Sequence, residues 1–271
     1  MEIVDINPIA FTVAGIPVYW YGILFALSLT IAWFFMNSIV KKTADLHYSS
    51  MTVNQLDKFM LGAIITTVIT GRLGHVLFFE PSYYLHNPLD IMMLRNGGMS
   101  FHGGLMGMLV YTWMYCKKNH VPTLFLGDAL CFSTSVALIT GRLANFVNQE
   151  LVGKVWASEY GVIFKAVDDF PRYPTQLYEA LTEGLLTFII LSIILRNKGW
   201  KSMGTGIYTA VFCIIYSSCR FAIEFFKDVD TFNLGSLSLT IGQILCICMF
   251  VFGIYITHLR KFQTVKSLSD W

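Results

Sequence analysis

Arg72, Arg142 and Arg220 stand inside stretches that are otherwise apolar, and polar groups gather around them in the sequence. Asn145, Asn148 and Glu150 follow Arg142, and Glu224 follows Arg220 by four residues. A guanidinium stays charged and offers a planar fork of donors, so arginines gathered in low dielectric make a site for a phosphate or a carboxylate. An ionisable side chain inside a bilayer costs about 2.5 kcal/mol or more, so each such residue needs a partner, an interface or a function. Tyr216, Arg220 and Glu224 recur at four-residue spacing and so share one helical face. That stripe reads either as an ion pair that lets the helix insert or as part of a site. His102 stands among Gly97, Gly98, Gly103, Gly104 and Gly107. It reads either as an interfacial packing residue or as a proton acceptor near neutral pH. The Gly103/Gly107 spacing is a small-residue packing face, and His75, one turn after Arg72, stays open.

The elements that must carry these residues are membrane spans. Of 271 residues, 55% are hydrophobic and 13% charged, about half the charged share of a soluble domain. Seven stretches are long and apolar enough to cross a bilayer, near 18–40, 56–79, 98–116, 122–147, 176–195, 203–226 and 236–258. The chain is therefore expected to be an all-α polytopic membrane protein forming a single integral-membrane domain over 1–271. The first stretch is expected to remain as a helix, because no basic region precedes it and Met1 to Pro17 carries only Glu2 and Asp5. With the N-terminus outside and the C-terminus cytoplasmic, the inner connections hold eleven basic residues: Lys41, Lys42, Lys58, Lys117, Lys118, Arg196, Lys198, Lys201, Arg260, Lys261 and Lys266. The outer ones hold five, namely Arg95, Lys154, Lys165, Arg172 and Lys227. That asymmetry sets the N-out orientation. Odd spans then run inward and even spans outward. Tyr21, His102, Gln176, Tyr178 and Glu179, early in odd spans, share the outer third with Arg72, Arg142, Asn145, Asn148, Glu150, Arg220 and Glu224, late in even ones. We read this layer as one polar pocket opening outward, at a depth a lipid headgroup reaches. The outer segment 149–174 mixes Trp156, Tyr160, Phe164, Phe170 and Tyr173 with charges, and is either an interfacial segment over the pocket or a plain connector.

A formal net charge of +2 leaves no basic excess for nucleic acid. The six cysteines form no C-x-x-C pair and have no histidine at zinc-ligand spacing, so neither a disulfide framework nor a metal site is expected. No cofactor motif is present. Asp128, near the inner end of its span, reads as a helix-packing residue.

The run Gly141-Arg142-Leu143-Ala144-Asn145-Phe146-Val147-Asn148-Gln149-Glu150-Leu151-Val152-Gly153 resembles the signature G-R-x-[GA]-N-F-x-N-x-E-x-x-G of bacterial prolipoprotein diacylglyceryl transferases at every fixed position. Tyr19-Trp20-Tyr21-Gly22, the block from Gly97 to Gly104, Pro174-Thr175-Gln176-Leu177-Tyr178-Glu179 and Arg220-Phe221 with Glu224-Phe225 extend the likeness along almost the whole chain. The resemblance implies seven spans, N-out, in the bacterial cytoplasmic membrane, with the active site toward the outer side. It implies transfer of the sn-1,2-diacylglyceryl group from phosphatidylglycerol to the lipobox cysteine of a prolipoprotein signal peptide, forming a thioether and releasing glycerol phosphate. Phosphatidylglycerol, prolipoprotein signal peptides and membrane lipid are the implied partners. Arg142 and Arg220 would stabilise the departing phosphate, and Asn145 and Asn148 would fix headgroup oxygens. Glu150 and Glu224 would orient the arginines, Tyr21 and Tyr216 would line the headgroup site, and Gly153 would give its loop a backbone conformation that a side chain hinders. Arg72 and Gln176 join the substrate-binding set, and His102 is the candidate to take the thiol proton. The family commonly has His-Pro where this chain has Tyr173-Pro174, which favours His102 for that proton.

Two other readings of the residues are weaker. An anion transporter places its polar residues at the midplane of related repeats, whereas these gather at one face. An intramembrane serine protease needs a serine facing a histidine, and Ser100 and His102, two residues apart, do not face each other.

Overall fold

The computed structural model describes residues 2–46, 51–93, 97–229, 231–234 and 237–269. Arg95 of the sequence reading lies outside them. The chain packs as two compact units, residues 1–39 with 127–271, and residues 40–126. Eight α-helices among the described residues carry most of it: α1 Trp20–Lys42, α2 Val53–Phe78, α3 Pro81–His86, α4 Phe101–Asn119, α5 Thr123–Val147, α6 Thr175–Lys198, α7 Ile207–Ile223 and α8 Ile241–Ser269. Among the described residues, six helical stretches are long and apolar enough to cross a membrane: Trp20–Lys42, Val53–Phe78, Thr123–Val147, Thr175–Lys198, Ile207–Phe226 and Ile241–Leu259. The third expected span, 98–116, is helical as α4 but less apolar, because it carries Gly103, Gly104 and Gly107 and ends on Lys117 and Lys118.

In the unit of residues 40–126, α2 starts on a capping box. The Thr52 hydroxyl accepts from Gln55 N at 3.2 Å, and the Gln55 side chain accepts from Thr52 N at 2.8 Å. Helix α4 then lies antiparallel against α2. Tyr115 donates to Gln55 O at 2.6 Å near the start of α2, and Gly103 meets Gly74 near its end, where a methyl on Gly74 would come 2.9 Å from Gly103 Cα. The two helices stay together over about 28 Å at 1.5 Å per residue.

In the other unit, α5, α6 and α7 surround an aromatic core of Phe35, Phe132, Phe188 and Tyr208. Asp128, fully buried beneath it, accepts from Gly204 N at 3.0 Å, Gly206 N at 2.8 Å, Thr209 N at 2.9 Å and Thr209 Oγ1 at 2.8 Å. It thus satisfies the open N–H groups at the start of α7. Gly204 and Gly206, both at positive φ, delay that helix to Ile207, four residues past the expected boundary.

The expectation of helices alone needs correction at the ends. Seven short strands lie among the described residues, outside the helices. Strands β1 (Glu2–Val4), β4 (Val162–Phe164) and β5 (Pro171–Arg172) form one sheet, in which β1 pairs parallel with β4. Strands β2 (Ile9–Val13) and β3 (Ile16–Tyr19) form a hairpin turned by Ala14 and Gly15, both at positive φ as a tight hairpin turn requires. Strands β6 (Phe232–Leu234) and β7 (Leu237–Leu239) form another, which starts the last helix at Ile241 instead of 236.

Candidate active site

Helix α5 ends by folding its continuation back over itself. Asn148 N donates to Ala144 O at 2.9 Å and Glu150 N to Asn145 O at 3.0 Å, while Gln149 and Leu151 each take φ of 55°. Left-handed backbone at a non-glycine residue costs on the order of 1–2 kcal/mol, and such strain concentrates at functional sites. Here it turns the Glu150 carboxylate back onto the helix end, where Asn145 Nδ2 donates at 2.5 Å and Asn148 Nδ2 at 2.9 Å. Gln176 Nε2 holds Glu150 O at 2.7 Å, the Thr175 hydroxyl holds Leu151 O at 3.0 Å, and Gln149 Oε1 accepts from Ala166 N at 2.9 Å. Tyr21 lies within electrostatic reach of Glu150 and Arg142.

Beside this turn is a buried ionic cluster from three helices. Arg142, on α5, sets Nη1 3.2 Å from Glu179 Oε2 and donates from Nη2 to Glu183 Oε2 at 2.9 Å. Arg220, on α7, donates from Nη1 to Glu179 Oε1, lies 3.7 Å from Glu183 Oε1, and sets Nη2 3.0 Å from Glu224 Oε2. Lys227 Nζ reaches Glu179 Oε1 at 2.7 Å. Glu179 and Glu183 are fully buried, and Lys227 is 2% exposed. Two carboxylates four residues apart would repel, and the three cations between and around them make the arrangement possible. Helix α6 widens into a π-helix over Ala180–Leu186, a feature frequent at functional sites. Gly184 within it lets α6 close on α5, since a methyl there would come 2.7 Å from Ile139 Cγ1. That approach brings Glu183 to Arg142. Thr240 Oγ1 holds Glu224 at 3.0 Å, and Tyr216 lies within electrostatic reach of Glu183, Arg142 and Arg220.

The segment 149–174, which meets the chain at Phe226 and Lys227, is part strand, part aromatic stack. Tyr173 lies flat on Trp156 at 4.4 Å and meets Phe226 edge-on. Gly153 N donates to Tyr173 O at 3.0 Å, and Gly153 bridges to Lys227. Arg172 ties the segment together, donating to Asp168, to Gly153 O at 3.0 Å and to Asp228 at 2.9 Å. Its guanidinium holds the Asp168 carboxyl below the usual carboxylate range. A depressed value means stability that is present above about pH 4 and lost as pH falls below it. Protease nicking of segment 149–174 is therefore expected to rise on acidification through this range, and Asp168→Asn is expected to show the acid level of nicking already at neutral pH. Equal nicking of both proteins at every pH would remove the tie.

The remaining site residues of the sequence reading belong to the unit of residues 40–126. Arg72 spends all five donors on backbone carbonyls: Nε on Ile91 O at 3.0 Å, Nη1 on Gly97 O and on Gly98 O at 2.9 Å, and Nη2 on Asp90 O at 2.7 Å and Met93 O at 3.4 Å. It also stands over the Tyr84 ring. Arg72 thus shapes the chain that leads into α4 and presents no donor to an anion here. His102, second residue of α4, is exposed and meets Phe101 edge-on. His75 stacks on Phe79 and lies 3.8 Å from Glu80.

The family model for prolipoprotein diacylglyceryl transferase matches residues 8–259. The chain belongs to that family. Among curated relatives, the phosphatidylglycerol–prolipoprotein diacylglyceryl transferase of Rickettsia felis is 38% identical over 259 residues, covering 94% of this chain and 97% of the relative. The protein of the same name from Oleidesulfovibrio alaskensis is 38% identical over 251 residues, covering 92% and 91%. The chain is thus a transferase with several apolar helices of membrane-spanning length.

Within this transferase the structure redistributes roles assigned from sequence. The Glu150 carboxylate accepts one amide N–H from Asn145 and one from Asn148, which leaves each amide a second donor. The arginines are held by Glu179, Glu183 and Glu224. Gly153 needs no special backbone conformation, since its φ is not positive. What it lacks is room: a methyl there would come 2.6 Å from Tyr173 O and 2.8 Å from Phe226 O. The sequence reading missed Glu183 and counted Lys227 among the outer-loop charges. The signal for Glu183 was a second carboxylate one turn after Glu179 in an apolar span.

Proposed function

We propose that this chain transfers the sn-1,2-diacylglyceryl group of phosphatidylglycerol to the lipobox cysteine thiol of prolipoprotein signal peptides, the first step of lipoprotein maturation. The observation that carries the reading is the convergence of Arg142 and Arg220 beside the strained Asn148–Leu151 turn. In the reaction a sulfur–carbon bond forms at an sp³ carbon while the carbon–oxygen bond to phosphate breaks. The electron pair leaves on the phosphate oxygen, and the thiol proton goes to a base and then to water. The leaving phosphate gains negative charge, and two preorganised guanidinium groups in a dry setting stabilise that charge more than they do the ground state. Tyr21 and Tyr216 are assigned to the headgroup, and Asn145, Asn148, Glu150, Gln176 and Gly153 to holding the turn. His102 is assigned to take the thiol proton, through an exposed imidazole at the start of α4.

We further propose seven spans with the N-terminus outside, the C-terminus cytoplasmic and the site toward the outer face of the bacterial inner membrane, the whole chain acting as one integral-membrane domain. The sheet that pairs Glu2–Val4 with Val162–Phe164 supports this. Two segments of one small sheet lie on one side of a membrane, so the crossings between them number an even count. Helices α1, α2 and α5 supply three, and α4 makes the fourth. Its run along α2 for about 28 Å matches a hydrocarbon core of about 30 Å.

The test is transfer of labelled diacylglyceryl from phosphatidylglycerol to a synthetic lipobox peptide by the purified protein, beside the same peptide with its cysteine replaced by alanine. Cysteine-dependent label is expected, and no label from demonstrably folded protein overturns the reading. For Arg72, alanine is expected to lower stability by at least about 2 kcal/mol, because carbonyls that met a charged donor lose it. Inhibition of the remaining activity by glycerol phosphate should stay as in wild type. A thermal melt and an inhibition curve check both, and weakened inhibition would return Arg72 to the headgroup site.

A further inference from the structure

Glu179 is the one side chain among the described residues that touches all three cations of the cluster: Arg220 and Lys227 through Oε1, and Arg142 through Oε2. Counted by formal charge, Arg142, Arg220 and Lys227 face Glu179, Glu183 and Glu224, so the cluster is neutral as it stands. An anion-binding site that carries its own anions at full strength calls for a reason. The proposed reaction supplies one. Its substrate is a phosphodiester with one negative charge, and its product is a phosphomonoester with close to two. Three cations fixed in low dielectric would hold that product more tightly than the substrate, and a product held tightly limits turnover.

We propose that Glu179 is a positioning residue that serves as an internal counter-anion. It holds Arg142, Arg220 and Lys227 in place between turnovers and competes with the phosphate product for them, so that glycerol phosphate leaves. The geometry suits this role. Glu179 is fully buried, so its carboxylate has no water shell to retreat into. It closes the α-helical turn that precedes the π-helix, and its neighbour one turn on, Glu183, keeps a second hold on Arg142 when Glu179 yields. The inference rests on the phosphate-binding role proposed for the arginines.

Glutamine at 179 keeps the shape and an acceptor oxygen but removes one negative charge. Glu179→Gln is therefore expected to make glycerol phosphate a stronger inhibitor of transfer, by at least about tenfold, with a lower kcat and a KM for phosphatidylglycerol that does not rise. A residue that only supports the fold gives the opposite pattern, with weaker inhibition and a raised KM. Lys227→Gln carries the reverse sign and should weaken glycerol phosphate inhibition, so it tests the same competition if Glu179→Gln does not accumulate. The double variant Glu179→Gln/Lys227→Gln restores neutrality and should return inhibition toward that of wild type. Arg142→Gln separates the two claims. If it weakens inhibition while Glu179→Gln leaves inhibition unchanged or weaker, the counter-anion role is overturned and the arginine assignment stands. If neither Arg142→Gln nor Glu179→Gln alters inhibition, phosphate is not bound at this cluster and both readings fall.

Discussion

Arg142→Ala is expected to reduce kcat/KM for diacylglyceryl transfer by about 10²–10³-fold or more, the scale of losing one preorganised donor to a developing oxyanion. Arg142 does two things at once. It offers charge to a leaving phosphate, and it separates Glu179 at 3.2 Å from Glu183 at 2.9 Å. Alanine removes both, and taking from buried Glu183 its closest cation, with Arg220 left at 3.7 Å, costs up to about 3–5 kcal/mol of stability. The alanine variant thus loses activity partly through the fold. Arg142→Lys distinguishes the contributions. Its ammonium keeps the charge between the carboxylates, so the thermal midpoint should fall less. A point charge cannot span both carboxylates and a phosphate as a planar fork does, so transfer should still drop by about tenfold or more. Transfer rates beside thermal melts in detergent decide it, and wild-type turnover in the lysine variant would sink the planar-fork argument.

Gly153→Ala is expected to cost about 10²-fold in activity, through displacement rather than chemistry. The added methyl would sit 2.6 Å from both Tyr173 Cβ and Tyr173 O and 2.8 Å from Phe226 O. Two of the three atoms belong to backbone, so the chain itself must shift. The strand-like contact of Gly153 with Lys227 runs through this point, as do Lys154 N to Phe226 O at 2.8 Å and the Arg172 bond to Gly153 O at 3.0 Å. Moving Lys227 moves a cation of the cluster, and a displacement near 1 Å can cost about 10²-fold. The fold should survive, because the collision lies outside the helix packing. Retained secondary structure with lost transfer is the expected pair of observations, and near-normal transfer would show that the cluster tolerates motion of Lys227.

Much of this was legible in the residues. Arg142 and Arg220 announced themselves by their cost in apolar stretches, and Asn145, Asn148 and Glu150 marked the polar end of the same span, while the turn they build was not read. The helices were readable because each is a long local pattern, and their ends failed where a distant partner decides. Ile241, not 236, opens α8 because β6 and β7 pair first. The assignment of carboxylates to arginines failed for the same reason. Arg220 and Glu224 are neighbours on one helix and were paired correctly at 3.0 Å. Arg142 meets Glu183 only because Gly184 lets two helices close, a contact between residues 41 positions apart. Lys227 looked like a loop charge because the carboxylate it meets, Glu179, lies 48 positions back. Arg72 shows the converse: the residue type was readable, while its acceptors are main-chain carbonyls that carry no side-chain signature.

The parallel pairing of Glu2–Val4 with Val162–Phe164 also dictates a schedule. A strand made first waits for its partner until about 160 further residues have been made, and closing so long a loop is slow. This sheet is therefore a late event in biogenesis. Until it forms, residues 2–4 are an unpaired edge, open to mispairing or to a protease. Folding of the sheet is then a checkpoint that a nascent chain passes only after α5 and the segment that follows it have been made.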